Sequence, residues 1–298
     1  MELAPNLYSI PAKPAQYTGP HPPNVYLVRD GDEGAFIDSG FADDESVTAR
    51  LEFLRQFPGL RLRYVVITHT HLDHAGGAYR YREATGAQIV MHRLQEEAVR
   101  KALEEPDPDI PEGMRHLREA VGKATPDVLV EDGQTLQVGS RTLRVVHTPG
   151  HQAGHICIYL EDARVLFTGD HVVGEGTVAI PPPPSGDMAQ YLRSLEKVLA
   201  YPGVDRLCPG HGPVVENPQQ KVRELIQHRL DRERQILALV RRGKDTVTAL
   251  RRALYPELDK RLYRMAEGQV LAHLRKLEAE GTVTLHQEEQ ETRVTLTA

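Results

Sequence analysis

The 298-residue chain contains no tryptophan, five phenylalanines and only two cysteines. Cys157 and Cys208 form no C-x-x-C pair, so no disulfide framework is indicated and both read as small buried apolar residues. No long hydrophobic run opens the chain: Met1 to Thr18 is interrupted by Pro5, Pro11 and Pro14, which leaves neither a signal-peptide core nor a membrane helix. The expected address is the cytoplasm, with no membrane partner. Asparagine is confined to Asn6, Asn24 and Asn217, and with plentiful proline and arginine this suits either a thermophile or a biased genome composition. What is present is ordinary globular chemistry, with 40% hydrophobic and 26% charged residues. The length allows one large domain or a catalytic body with a small appendage.

The net charge of −6 is unevenly spread. Residues from Asn217 onward carry +4 and the remainder −10, an acidic body with a mildly basic tail. In the body, Asn24 to Val28 and Gly34 to Ile37 flank Arg29-Asp30-Gly31-Asp32 and predict a hairpin. Asp43-Asp44 predicts a helix start ahead of Val47, Leu51, Leu54 and Phe57, and Tyr64 to Ile67 predicts a buried strand. Ala78 to Thr85 and Gln88 to Met91 predict a helix and a strand. Further strands are expected at Thr135 to Val138, Thr142 to His147, His155 to Leu160 and Arg164 to Thr168, separated by a polar, proline-containing stretch from Glu104 to Pro111. Strands interrupted by helices suggest a layered α/β body with two sheets. The prolines from Pro181 to Pro184 predict a stiff connection, after which Ser185 or Asp187 caps a helix. In the tail, helices are expected over Lys221 to Arg242, Thr246 to Ala253 and Leu262 to Glu280, the last with Leu262, Met265, Leu271, Leu274 and Leu277 facing inward. A hairpin of Thr282 to His286 and Arg293 to Thr297 closes it. Three helices and a hairpin describe a winged helix, a module that binds nucleic acid or protein. The division expected is a body of residues 1–216 and a tail of 217–298.

The chemistry concentrates in Thr68-His69-Thr70-His71-Leu72-Asp73-His74-Ala75-Gly76-Gly77, directly after the buried strand. Four potential ligands lie within six positions. His69 and His71, on splayed backbone, can address one metal while Asp73 and His74, at a helix start, reach a second. Three more candidates follow apolar strands in short turns: His151 in Thr148-Pro149-Gly150-His151, Asp170 in Phe167-Thr168-Gly169-Asp170, and His211 in Pro209-Gly210-His211-Gly212. Five imidazoles and two carboxylates suffice for two divalent ions and an open position for a solvent hydroxide. These donors suit zinc, and also manganese or iron. His147 and His155 flank the His151 loop and are candidates to orient bound imidazoles. His171 is a candidate acid toward substrate. Ser39 and Ser185 lie in turns but lack the G-x-S-x-G elbow of a covalent nucleophile.

The ordered set H-x-H-x-D-H, His151, Asp170, His211 resembles the metallo-β-lactamase superfamily over approximately residues 5 to 216. The resemblance implies a four-layer αβ/βα sandwich with a two-metal site at one edge. By that match His69, His71 and His151 would hold one ion, Asp73, His74 and His211 the other, and Asp170 would bridge them, with Asp73 and Asp170 the catalytic carboxylates. Gly174-Glu175-Gly176-Thr177, Pro209-Gly210-His211-Gly212-Pro213-Val214, the run from His228-Arg229 to Gln235-Ile236-Leu237 and the tail are closest to the beta-lactamase-like protein 2 group. Members of that group are described as single-stranded RNA endonucleases. Asp170 stands where some β-lactamases carry a cysteine ligand, which speaks against antibiotic hydrolysis. Glyoxalase II, a thioesterase, shares all seven ligand types. The expected activity is therefore metal-dependent hydrolysis, of single-stranded RNA first and of a small thioester or ester as the alternative. A DNA-bound regulator would leave the ligands idle. Arg229, Arg232, Arg234, Arg241 and Arg242 are candidate phosphate contacts, although Glu224, Asp231 and Glu233 lie among them, and a homodimer contact through the tail or a wall over the active site is the competing use.

Overall fold

The computed structural model describes residues 1–10, 21–104, 115–288 and 291–297. Pro11, Pro14, most of the proline-containing stretch after Glu104 and the tip of the terminal hairpin at 289–290 lie outside the described residues. The chain divides into two compact units, one of Met1–His147, Gly154–Gly176 and Pro202–Pro218, the other of Thr148–Ala153, Thr177–Tyr201 and Gln219–Ala298.

The first unit is built on two sheets. One runs in the order β1 (Glu2–Ala4), β2 (Leu7–Ile10), β3 (Val25–Asp30), β4 (Glu33–Ile37), β5 (Arg61–Val66), β6 (Gln88–His92) and β7 (Val128–Val130). Pairing is antiparallel up to β4 and parallel from β4 to β7. The other sheet places β8 (Thr135–Val138), β9 (Arg141–His147), β10 (Ile156–Leu160), β11 (Val165–Gly169) and β12 (Arg206–Pro209) in sequence order, with only the β11–β12 pair parallel. Alternation at period two sorts the side chains. Tyr26, Val28, Ala35, Ile37, Tyr64 and Val66 meet Leu143, Val145, Ile156, Ile158 and Phe167 of the second sheet in one core. Val25, Leu27, Phe36, Val65, Ile67, Ile89 and Met91 point the other way, onto α1 (Asp44–Leu54), α2 (Leu72–Ala75), α3 (Ala78–Thr85), α4 (Glu96–Glu104) and α5 (Arg115–Lys123), through Val47, Ala75, Tyr81, Val99 and Val121. Asp43 caps α1 by accepting from the Ser46 amide at 2.8 Å, as the paired aspartates predict. The first two strands were not foreseen. The turn at Asn6, with φ of 61°, lets Leu7 and Ile10 enter the core despite the neighbouring prolines.

The second unit carries α6 (Met188–Ala200), α7 (Pro218–Arg241), α8 (Val247–Leu254), α9 (Tyr263–Ala279) and the hairpin β13 (Val283–Gln287) and β14 (Thr292–Leu296). Of the two expected caps for α6, Asp187 is the one used, accepting from Gln190 N at 2.8 Å. Ile236, Val240, Leu250, Val270, Leu274, Leu277, Val283 and Val294 form one core, the three-helix-and-hairpin arrangement of a winged helix. One expectation is corrected here. Leu262 and Met265 are 41% and 51% exposed, because Leu262 ends a 3-10 turn ahead of α9 and Met265 falls off the stripe of Ala266, Val270, Leu274 and Leu277. Among the described residues, no helix is long and apolar enough to cross a membrane.

Far along the strands, the β3–β4 hairpin is tied to the β8–β9 turn by carboxylates. Asp30 accepts from Ser140 N and Oγ, each at 2.7 Å, and Glu33 accepts from Gly139 N and Arg63, each at 2.9 Å. The Gly139 amide and the Arg63 guanidinium hold the Glu33 carboxyl at about 2, below its ordinary 4.5. A folded value below the unfolded one means stability that is complete above pH 4.5 and is lost as pH falls toward 2. Glu33→Gln is expected to flatten the fall of Tm across that interval, read from thermal melts of both proteins at stepped pH.

Candidate metal centre

The ligands arise where strands end. β4 runs out at Ile37 into Asp38, whose φ of 60° is a left-handed conformation that aspartate tolerates better than most residues. β5 delivers Thr68 and His69, and His71 caps the single turn of α2 that carries Asp73 and His74. β11 delivers Asp170 and the parallel β12 delivers His211.

Six of the seven expected ligands gather in the first unit as two groups sharing Asp170. His69 Nε2 is 2.9 Å from His71 Nδ1 and 3.9 Å from Asp170 Oδ2. His74 Nε2 is 3.2 Å from His211 Nε2 and 3.8 Å from Asp73 Oδ2, and His211 Nε2 is 3.2 Å from the same Asp73 oxygen. The other oxygen of Asp170, Oδ1, lies 3.5 Å from His74 and 3.6 Å from His211. One carboxylate thus presents one oxygen to each group, the disposition of a bridging ligand. His69 and His74 are fully buried. The seventh, His151, lies in the Thr148–Ala153 segment between β9 and β10, is 4% exposed, and has Nδ1 3.0 Å from the Ala179 carbonyl.

The electrostatics are those of a cation site. Burial lowers the His74 imidazole, but the Asp170, Asp73 and Asp38 carboxylates outweigh it and push its pKa up to about 10. Burial raises Asp73, but His74, His211 and His71 hold it well below the usual carboxylate range. His211 is raised against its burial by its hydrogen bond to Asp73 and by Asp170, whereas burial keeps His71 low. The negative potential that retains protons here would equally favour divalent cations, and imidazole with carboxylate is the donor set of zinc, manganese or iron. Space agrees: a Cβ at Gly210 would lie 2.6 Å from His74 Cε1 and 2.8 Å from Asp170 Oδ1, so the backbone there borders the ligand atoms directly.

Asp38 is the functional residue not anticipated. Its Oδ2 accepts from His74 Nδ1 at 2.8 Å, and its two oxygens accept from Thr68 N and Oγ1 at 2.8 and 2.9 Å. With Nδ1 donating to the carboxylate, His74 turns Nε2, the nitrogen left for an ion that displaces its proton, toward the group it shares with His211. The sequence signal was Asp-Ser-Gly immediately after an apolar strand. Ser39 is fully buried and donates to the His74 carbonyl at 2.6 Å, which assigns it to the scaffold of α2. His155 packs 5.3 Å from the His69 ring, while His147 stacks at 4.2 Å on His92. His171 is fully buried, with its ring 5.9 Å from that of His155. Replacing Asp38 by Ala is expected to weaken binding of one zinc ion by about 10- to 100-fold, measured by chelator competition.

Residues 18–211 match the metallo-beta-lactamase superfamily, and residues 246–291 match the beta-lactamase associated winged helix domain. A beta-lactamase-like protein 2 homolog of Drosophila melanogaster is 33% identical over 267 residues, covering 87% of this chain and 82% of the relative. An atrochrysone carboxyl ACP thioesterase of Aspergillus fumigatus is 34% identical over 233 residues, covering 75% of this chain but 62% of its own length. A crystal structure of a metallo-beta-lactamase family protein from Thermus thermophilus aligns with a TM-score of 0.80 at 26% identity, covering 99% of this chain and all of that one. The chain belongs to the metallo-beta-lactamase superfamily, a family of metal-dependent hydrolases, and carries its associated winged helix domain.

Proposed function

We propose that the chain hydrolyses an acyl thioester or small ester at a two-metal centre. His69, His71 and His151 would hold one ion, Asp73, His74 and His211 the other, and Asp170 would bridge them, with zinc the best match and manganese or iron sharing the donor preference. When bound, the ions supply water of lowered pKa and an electrophilic clamp on the scissile carbonyl. The chain's own residues keep that centre in register: Asp38 fixes the tautomer of His74, and the His21 carbonyl, 3.0 Å from His211 Nδ1, fixes that of His211. Both cysteines are free and buried, which suits a reducing compartment such as the cytoplasm.

The observation that carries the acyl reading over RNA is the fate of the tail's cations. Arg229, Arg251 and Lys276 have buried or nearly buried side chains. Arg229 bonds to Thr177, Arg251 pairs with Glu267 at 3.2 Å and Lys276 with Glu233 at 2.8 Å. Arg234, Arg261, Arg275 and Arg293 pair with Asp231, Asp259, Glu278 and Asp245. Exposed pairs are weak, about 0–1 kcal/mol, but a phosphate contact at any of these four arginines must first break one. Beside a body of charge −10, this is a poor track for a polyanion. The likeness to the thioesterase of Aspergillus fumigatus supports the same choice. Single-stranded RNA remains the second reading, favoured by the likeness to the Drosophila beta-lactamase-like protein 2 homolog over most of both chains.

Parallel assays of a glutathione or acyl-carrier thioester and of labelled single-stranded RNA test this. Thioester turnover is expected, weakly dependent on salt, and reduced about 100-fold or more by chelation or by Asp170→Ala. RNA cleavage abolished by the same controls, with no thioester turnover, would overturn it.

A further inference from the structure

The segment from Thr177 to Pro182 forms neither helix nor strand, and the prolines that follow it to Pro184 have no amide to donate. From Thr177 to Ile180 it is held by side chains of the tail helices. Arg229 of α7, 2% exposed, donates to Thr177 Oγ1 and, at 2.6 Å, to the Val178 carbonyl. Its guanidinium carbon lies 5.3 Å from the centre of the Tyr191 ring of α6. Gln269 of α9, 7% exposed, accepts from Ile180 N at 2.8 Å through Oε1. Between these two anchored positions lies Ala179, whose carbonyl faces His151 Nδ1 at 3.0 Å. A carbonyl only accepts, so Nδ1 carries the proton and Nε2 keeps its lone pair. The far side of the His151 loop is also fixed. Gly150 O accepts from Asp187 N at 2.8 Å, Ser194 Oγ donates to Pro149 O at 2.7 Å, and Gly150, at φ of 137°, has no room for a Cβ, which would lie 2.3 Å from Tyr191 Cα.

We propose that Arg229 and Gln269 are positioning residues for the metal ligand His151: by clamping the strap on either side of Ala179 they set the carbonyl that fixes the tautomer and ring orientation of His151. The winged-helix module then serves His151 from within the unit they share, and Arg229 is occupied there rather than on phosphate. The inference rests on the reading of His151 as a ligand. Partners that orient a bound imidazole are worth about 10- to 100-fold in metal affinity, so the clamp should be visible in metal binding before any substrate is known.

The test uses the full chain. Arg229→Met and Gln269→Met remove the clamps, Gln269→Glu keeps an acceptor oxygen for the Ile180 amide, and His151→Ala marks the ion concerned. Stepwise zinc affinities by chelator competition, the visible spectrum of the cobalt-loaded proteins and the melting temperature of the metal-free proteins are recorded. Expected is a loss of about 10- to 100-fold for one ion in both Met variants, the same ion that His151→Ala releases, with the second ion unchanged and Gln269→Glu close to wild type. Gln269→Met alone decides the matter where Arg229→Met does not fold. Unchanged affinities in folded variants would overturn the proposal, as would an equal weakening of both ions in step with a lowered melting temperature. A wild-type chain that binds fewer than two zinc ions would overturn the reading of the metal centre itself, and the clamp with it.

Discussion

Three carboxylates and several imidazoles are crowded into a space with little access to water, and everything around them answers to that concentration of charge. Asp38, Asp73 and Asp170 drive the pKa of His74 far above that of a free imidazole, which shows how strongly negative the site is before any ion enters. Buried charge of this kind persists only when each group has partners that hold it in place. The fold supplies them from backbone: Thr68 N for Asp38, the His21 carbonyl for His211 and the Ala179 carbonyl for His151. The two-sheet core is the platform that lets strand ends deliver these atoms, since alternate residues of β4 and β5 fill the cores on either side of the sheet while the residues just past their ends are free for chemistry.

Much of this was legible in the residues. The H-x-H-x-D-H stretch after an apolar strand, and the three glycine-flanked candidates downstream, carry their chemistry in local pattern, so the candidate donors and their placement at strand ends could be read directly. The same holds for α1 and α3, whose caps and stops are local signals. Asp38 could not be read that way. Its role depends on β4 and β5 lying side by side, a pairing between residues about thirty positions apart, and a single aspartate in a turn has many bland uses. Leu262 and Met265 failed for a different reason: near a helix start, the phase of the apolar stripe depends on which residue begins the helix, and a short 3-10 turn shifted it.

In the tail, composition alone does not say which cations are available. A surplus of arginine suggested a surface for phosphates, yet charge counted along a sequence is not charge available to a ligand. Arg229 and Arg251 are buried, and Arg234, Arg261 and Arg293 are held by Asp231, Asp259 and Asp245. The helix-and-hairpin module is therefore better described by what it braces, the strap from Thr177 to Ile180, than by its net charge.

The spread of ligands along the chain has a consequence for how the protein matures. His69 and His211 come from β5 and β12, and the last of these joins its sheet through a parallel pairing with β11 that must wait for the long crossover containing α6. Long-range parallel pairing is among the slower events in folding. The group of Asp73, His74 and His211 is complete only once that strand has docked, so an ion held there would bind the finished site, as a bolt across a closed door, and would draw the folding equilibrium toward completion.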